Sequence, residues 1–163
     1  MKTLVVFYSR SGNTRKVARN IAGLINSDVE ELLDKNNRKG PLGLLKSVLE
    51  VMKHKRASLQ PTIKNPSLYD LVLIGTPIWG SKISSPVITY MEDNKDKFKK
   101  TALFCTAGGE SERYSNNCFK VFEELIGQKP VAFLGLDRED LKKGFDTKVA
   151  SFISIVASPY KDN

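Results

Sequence analysis

Short apolar runs alternate with longer stretches of helical periodicity along the chain. Five runs rich in β-branched and aromatic residues are typical of strands: 4–8, 29–33, 69–75, 101–106 and 130–136. The run at 29–33 is half polar, so it is expected nearer an edge of the sheet. Apolar residues recur at helical spacing over 14–25, 86–92, 118–126 and 145–156. The pattern therefore predicts alternating strands and helices.

This alternation predicts an α/β fold, an open doubly wound parallel sheet with helices on both faces. The length of 163 residues is that of one domain, taken as 1–163. Ligands of such sheets bind beyond the carboxyl ends of the strands, where the strand order reverses. A ligand-binding site is therefore expected in the loops after the first, third and fourth strands.

Composition excludes several classes of protein. Hydrophobic residues at 40% and charged residues at 27% exclude a largely disordered chain. Two cysteines, Cys105 and Cys118, exclude a disulfide scaffold and a four-thiolate zinc site, and we interpret both as buried structural residues. With His54 as the one histidine, no metal site is expected. No signal or membrane-spanning segment is predicted, so a cytoplasmic protein is expected.

Most of the net charge of +8 comes from one segment. Residues 35–56 hold seven basic side chains against Glu50. Within it, Gly40-Pro41 is a helix start, and Leu42, Leu45 and Leu49 recur at helical spacing. Residues 35–60 are therefore predicted to be an inserted basic amphipathic helix and loop. The helix either covers the sheet or docks an acidic redox partner or an anionic cofactor such as NADPH. A membrane-surface role is the least favoured interpretation.

The loop after the first strand carries polar groups at a helix start. Residues 9–14 read Ser-Arg-Ser-Gly-Asn-Thr, which is neither the GxGxxG nor the GxxxxGK[ST] fingerprint. Hydroxyls, an amide and free N–H groups at a helix N-terminus suit a phosphate monoester. A plain helix cap through Ser11 or Asn13 is the alternative.

The other two loops combine an aromatic residue with glycines. Trp79, the one tryptophan, follows the third strand and can either stack on a planar ring system or fold back over the core. Gly108 and Gly109 follow the fourth strand and either admit a ligand close to the backbone or form a tight turn.

Together the three segments 7–14, 74–80 and 104–109 resemble the flavodoxin family over almost the whole chain. The resemblance implies strand order 2-1-3-4-5 and one non-covalently bound FMN. It implies that the phosphate is held by Ser9, Arg10, Ser11, Gly12, Asn13 and Thr14. One side of the isoalloxazine ring would be lined by Thr76, Pro77, Ile78, Trp79 and Gly80, with Trp79 as the stacking aromatic. The pyrimidine edge of the ring would meet the backbone groups of Thr106, Ala107, Gly108 and Gly109. Tyr114 matches the position of a second stacking aromatic, with a surface tyrosine as the alternative.

The resemblance is to the short-chain type, because the fifth strand is uninterrupted. It implies an electron-transfer protein that acts through its flavin, with no catalytic side chain. The alternative is an NAD(P)H-dependent quinone or flavin reductase of the same fold. The basic charge departs from acidic family members and favours an acidic redox partner protein. A monomer or weak dimer is expected, without contact to membrane. A nucleic-acid-binding module is disfavoured because no motif of that class is present.

Overall fold

The computed structural model describes residues 1–35, 56–79, 81–109 and 111–158, and between 111 and 116 it describes the side chain of Tyr114 alone. Five parallel strands form the sheet: β1 (Thr3–Phe7), β2 (Asp28–Glu31), β3 (Leu71–Trp79), β5 (Thr101–Thr106) and β6 (Phe133–Leu136). A further strand, β4 (Lys82–Ile83), pairs antiparallel with β3. The parallel strands lie in the order β2-β1-β3-β5-β6. The predicted doubly wound sheet of order 2-1-3-4-5 is confirmed, since β5 and β6 are its fourth and fifth parallel strands.

Helices cover both faces of this sheet. They are α1 (Asn13–Ile25), α2 (Ser85–Asn94), α3 (Ser111–Ile126), α4 (Arg138–Lys143) and α5 (Asp146–Ala157). One apolar layer joins the sheet to α1 and α5 through Val17, Ile21 and Phe152. The other joins it to α2 and α3 through Tyr90 and Phe122. Strands β1, β3, β5 and β6 therefore contribute side chains to both cores, which explains their continuous apolar runs, whereas β2 is half polar and contributes to neither.

The parallel register brings the strand ends to one edge of the sheet. Phe7 pairs with Gly75, and Thr106 pairs with both Pro77 and Leu136. The segments that follow β1, β5 and β6 therefore begin side by side, next to the last residues of β3. This edge is where a ligand site was expected.

Several element boundaries differ from the prediction. The third strand runs on to Trp79, where the sequence predicted a loop after Gly75. Gly75 and Pro77 look like strand breakers in the sequence, but Pro77 pairs with Thr106 and Trp79 pairs with Lys82 in a hairpin. Tertiary pairing thus overrides the local signal.

The segments around the last strand also depart from expectation. Helix α3 begins at Ser111 and not at Cys118, because its first two turns are polar and carry no apolar periodicity. Strand β6 begins at Phe133, three residues after Pro130, which has no N–H group to donate to a ladder. Strand β4 and helix α4 were not predicted, being two and six residues long.

Of the basic helix and loop predicted over 35–60, positions 36–55 lie outside the described residues. On either side of it the chain closes on itself through an antiparallel bridge between Asp34 and Leu59. Arg56 forms an ion pair with Glu92 at 2.6 Å and another with Asp93. No helix within the described residues is long and apolar enough to cross a membrane.

Candidate functional site

A cavity of about 570 Å³ opens at the carboxyl edge of the sheet. Within the described part of the chain, four separate segments contribute its lining: Arg10, Ser11, Asn13, Pro77, Ile78, Trp79, Thr106, Ala107, Gly108, Arg138, Leu141 and Lys142. Its volume lies in the range typical of cofactor sites. The three loops predicted to carry chemistry therefore do meet around one space.

The first loop turns sharply into helix α1. Gly12 precedes the helix with φ of 96°, a left-handed conformation that favours glycine. The Ser9 hydroxyl accepts hydrogen bonds from the N–H groups of Gly12 at 3.1 Å and Arg15 at 3.2 Å. Ser9 thus fixes the turn, and its oxygen does not line the cavity. Ser11 and Asn13 are exposed and do line it.

Helix α1 also offers backbone donors to the cavity. The first N–H groups of an α-helix have no acceptor within the helix, and Asn13 and Thr14 open α1. The helix dipole places partial positive charge at the same end. An anionic group of phosphate size fits this donor set.

A buried hydrogen bond joins the first loop to the end of β5. The hydroxyl oxygens of Thr14 and Thr106 lie 2.8 Å apart, and both residues are buried. Either hydroxyl can donate to the other. This hydrogen bond joins two of the segments that line the cavity. Thr14 itself is not a lining residue, so it stabilises the site without reaching the cavity.

The end of β3 supplies the apolar wall of the cavity. Trp79 is 4% exposed and stands edge-on to Tyr8, with ring centroids 5.6 Å apart and ring planes at 89°. The sequence left two positions open for Trp79, at a ligand or over the core. The structure shows both, since Trp79 lines the cavity and packs into the core.

Thr76, which was also predicted in this segment, is not among the described residues that line the cavity. The Thr76 hydroxyl accepts from the backbone N–H of Ser84 at 3.1 Å, and the two hydroxyl oxygens lie 3.1 Å apart. Thr76 is thus committed to the connection between β4 and α2. Gly80 lies outside the described residues.

The turn after β5 lies along the cavity and contacts Tyr114. Ala107 and Gly108 are lining residues. A Cβ placed on Gly109 would lie 3.5 Å from the Tyr114 hydroxyl, so the tyrosine ring contacts this turn from the first turn of α3. Tyr114 is half-buried there and is not among the lining residues.

Helix α4 provides the fourth wall of the cavity, and its residues were not predicted from the sequence. Arg138, Leu141 and Lys142 face the cavity, and a Cβ on Gly108 would lie 4.0 Å from Arg138 Nη2. The helix is held by a reciprocal cap in which the N–H of Asp140 donates to Asp137 at 2.9 Å and the N–H of Asp137 donates to Asp140 at 3.0 Å. The available signal was the position of this charged stretch directly after the fifth strand.

The described lining is cationic. It contains Arg10, Arg138 and Lys142, and no carboxylate is found among its described residues. Such a lining attracts anions and favours added negative charge on anything bound there.

The two cysteines are buried away from this chemistry. Burial raises the pKa of the Cys105 thiol to about 12 and that of the Cys118 thiol to about 11. Neither is a nucleophile at neutral pH, since the thiolate is the reactive form. Their predicted structural role fits this burial.

Solved structures share the fold. A flavoprotein from Lactobacillus acidophilus NCFM in complex with FMN is 24% identical, with a TM-score of 0.70 over 87% of this chain and 97% of that one. Oxidised flavodoxin 1 from Bacillus cereus is 19% identical, with a TM-score of 0.56 over 98% and 100%. A flavodoxin from the domain Archaea is 17% identical, with a TM-score of 0.55 over 96% and 99%. At these identities the likeness establishes the fold.

A match to a family model identifies the family more specifically than the likeness to these solved structures does. No curated protein sequence matches the chain. The model of the flavodoxin family matches residues 2–147, which include all the described segments that line the cavity. With this match and the sheet order, the chain belongs to the flavodoxin family.

Proposed function

We propose that this protein binds one FMN non-covalently and transfers electrons through it. The observation that carries the proposal is the meeting of the segments after β1 and β5 with the end of β3 around one cavity of about 570 Å³. Ser11, Asn13 and the open N–H groups of α1 fit the phosphate, and Trp79 offers an aromatic wall to the ring. The match to the flavodoxin family and the FMN complex of the Lactobacillus flavoprotein support the same cofactor.

The chemistry in this proposal belongs to the flavin. FMN supplies the redox chemistry when bound, and the chain binds it, orients it and sets the surrounding charge. Within the described residues, the buried thiols of Cys105 and Cys118 are unsuited to covalent catalysis, because their pKa values are raised to about 12 and about 11.

Purified protein tests the cofactor directly. We expect a yellow protein with a flavin absorbance spectrum, or an apoprotein that quenches the fluorescence of added FMN. A colourless protein that leaves FMN fluorescence unchanged would refute the proposal.

A phosphate-specific variant tests the role of the first loop. Ser11→Ala with Asn13→Ala removes two exposed lining groups, and we expect FMN to bind about tenfold more weakly while riboflavin changes less than about twofold. Ser151→Ala, on the exposed face of α5, is the matched control. Equal weakening of both flavins would contradict phosphate binding by this loop.

A reductase of the same fold is the second candidate function. The cationic lining favours it, because Arg10, Arg138 and Lys142 would also attract the anionic NAD(P)H. Steady-state oxidation of NADPH with a quinone acceptor separates the two functions. A carrier should show almost none, whereas turnover of several equivalents per second would identify a reductase.

The net charge of +8 supports an acidic redox partner for the carrier function. The electron-transfer rate to such a partner should fall steeply as ionic strength rises. A rate that is independent of salt would argue against electrostatic docking.

A further inference from the structure

We propose that Arg138 and Lys142 form a cationic wall that stabilises the reduced flavin anion and raises the midpoint potential of bound FMN. This inference rests on the proposed function and assigns a charge-setting role to helix α4. The wall is defined by these two residues.

The two side chains share one face of α4. Their spacing of four residues places them one turn apart, and both line the cavity with Leu141 between them. Leu141 packs against the apolar layer that α5 covers. This contact holds the face of α4 that carries Arg138 and Lys142 toward the cavity. The Arg138 guanidinium reaches the turn after β5, at Gly108.

The carboxylates of the same segment are directed elsewhere. Glu139 pairs with Lys143 at 3.2 Å, and Asp140 pairs with Lys148 at 2.7 Å. Asp137 accepts the N–H of Asp140 as the helix cap. Among the described residues, no ion pair is formed by Arg138 or Lys142.

Among the described residues on the other sides of the cavity, the one charged side chain is also basic. Arg10 approaches from the first loop, and the lining contributed by β3 and β5 is uncharged. Within the described lining no carboxylate offsets the wall.

Such a wall acts on one redox state of the flavin more than on the other. Oxidised isoalloxazine is neutral, and uptake of two electrons and one proton gives a reduced ring with one negative charge. The reductant is the NAD(P)H or the redox protein of the proposed function. The phosphate charge is the same in both states, so its attraction to the wall cancels in the difference. Only the added ring charge is stabilised selectively, and the potential rises.

The test compares midpoint potentials of FMN bound to the intact protein and its variants. Removing one cation by Arg138→Gln should lower the ratio of reduced to oxidised FMN affinity about tenfold, which is about 30 mV for a two-electron couple. Lys142→Gln should act in the same direction, and the double variant should give the largest decrease. Lys143→Gln is the control, because it removes the same charge from the same helix but leaves the lining intact.

Three measurements accompany the potentials. Oxidised riboflavin should bind the variants within about threefold of wild type, since it has no phosphate and its ring is neutral in that state. Riboflavin should show the same potential shift as FMN, because the wall acts on the ring. The difference between wild type and the double variant should shrink as salt rises, since α4 is largely exposed.

Two results would overturn the inference. Potentials of Arg138→Gln and Lys142→Gln equal to that of Lys143→Gln would show that the wall does not act on the ring. Weaker binding of FMN in both redox states, with riboflavin unaffected, would assign these cations to the phosphate. A wild-type protein that binds no FMN refutes the proposed function itself and the inference with it, and the wild-type spectrum alone reveals that case.

Discussion

Gly75 lies in β3 directly against the Phe104 ring of β5, and its replacement by alanine should destabilise the fold. Gly75 pairs with Phe104 across the two strands, and both residues lie inside the sheet. A Cβ at this position would lie 2.2, 2.4 and 2.9 Å from three carbons of the Phe104 ring. Ordinary carbon contacts are about 3.5–4 Å, so the ring would have to move by more than about 1 Å.

The size of the effect follows from the surroundings of that ring. Phe104 is 0% exposed and is packed against the core layer under α1 and α5, so it has no open space to enter. Overpacking of this kind costs about 1–3 kcal/mol, and three contacts under 3.0 Å place Gly75→Ala near the upper end. Loss of glycine freedom in the unfolded chain offsets about 0.4–1 kcal/mol. The expected net loss is about 2 kcal/mol, or about 4–8 °C in Tm for a chain of this size.

Urea unfolding measures this loss, with the flavin concentration held constant because bound ligand adds stability. Gly23→Ala is the control, since a Cβ there would meet nothing within 4 Å and the residue lies inside α1. That variant should gain about 0.5–1 kcal/mol. Phe104→Leu should partly relieve Gly75→Ala, with a coupling free energy of at least about 1 kcal/mol. A loss below about 0.5 kcal/mol, or strict additivity of the two changes, would refute the steric argument.

Three further predictions concern buried polar groups. Cys105 and Cys118 should not react with a thiol reagent at pH 8 in the native state, because their pKa values are about 12 and about 11; stoichiometric labelling without unfolding would contradict this. The Tyr69 hydroxyl donates to Asp28 at 2.7 Å and is the main cause of the lowered pKa of that carboxyl. This contribution to stability is present above the usual pKa of about 3.8 and is lost as pH falls through the lower folded value, so Tyr69→Phe should flatten the acid side of the stability profile in urea titrations. The buried Tyr90 hydroxyl has no hydrogen-bond partner among the described residues, so Tyr90→Phe should be neutral or stabilising by up to about 1 kcal/mol, and a loss above that value would reveal a partner.

The sequence predicted the fold and the cofactor-facing loops for a common physical reason. Strands buried on both faces need continuous apolar runs, so four of the five parallel strands are visible without tertiary information, whereas the edge strand β2 is half polar. Polar or glycine-rich segments after such runs mark ligand sites in this architecture, and Ser11, Asn13, Trp79 and Gly108 do line the cavity.

The residues predicted for the site differ in whether their side chains face the cavity or form hydrogen bonds within the protein. A phosphate or a flavin ring could accept hydrogen bonds from the hydroxyls of Ser9, Thr14 and Thr76. In the structure, each of these hydroxyls takes part in hydrogen bonds within the protein. A residue type reveals the capacity for hydrogen bonding, whereas the partner depends on the folded neighbours.

By itself, the sequence determined the alternation of strands and helices, the polar loops that follow the strands and the excess of basic charge, because these depend on local periodicity and composition. Only the tertiary structure decided which charges face the cavity. Residues 138–143 read Arg-Glu-Asp-Leu-Lys-Lys, the pattern of a solvated charged helix. The parallel register carries the end of β6 to the same edge as β1 and β5, and ion pairs turn Glu139 and Asp140 toward lysines outside the lining. Arg138 and Lys142 face the cavity for that reason, which no property of their own segment encodes.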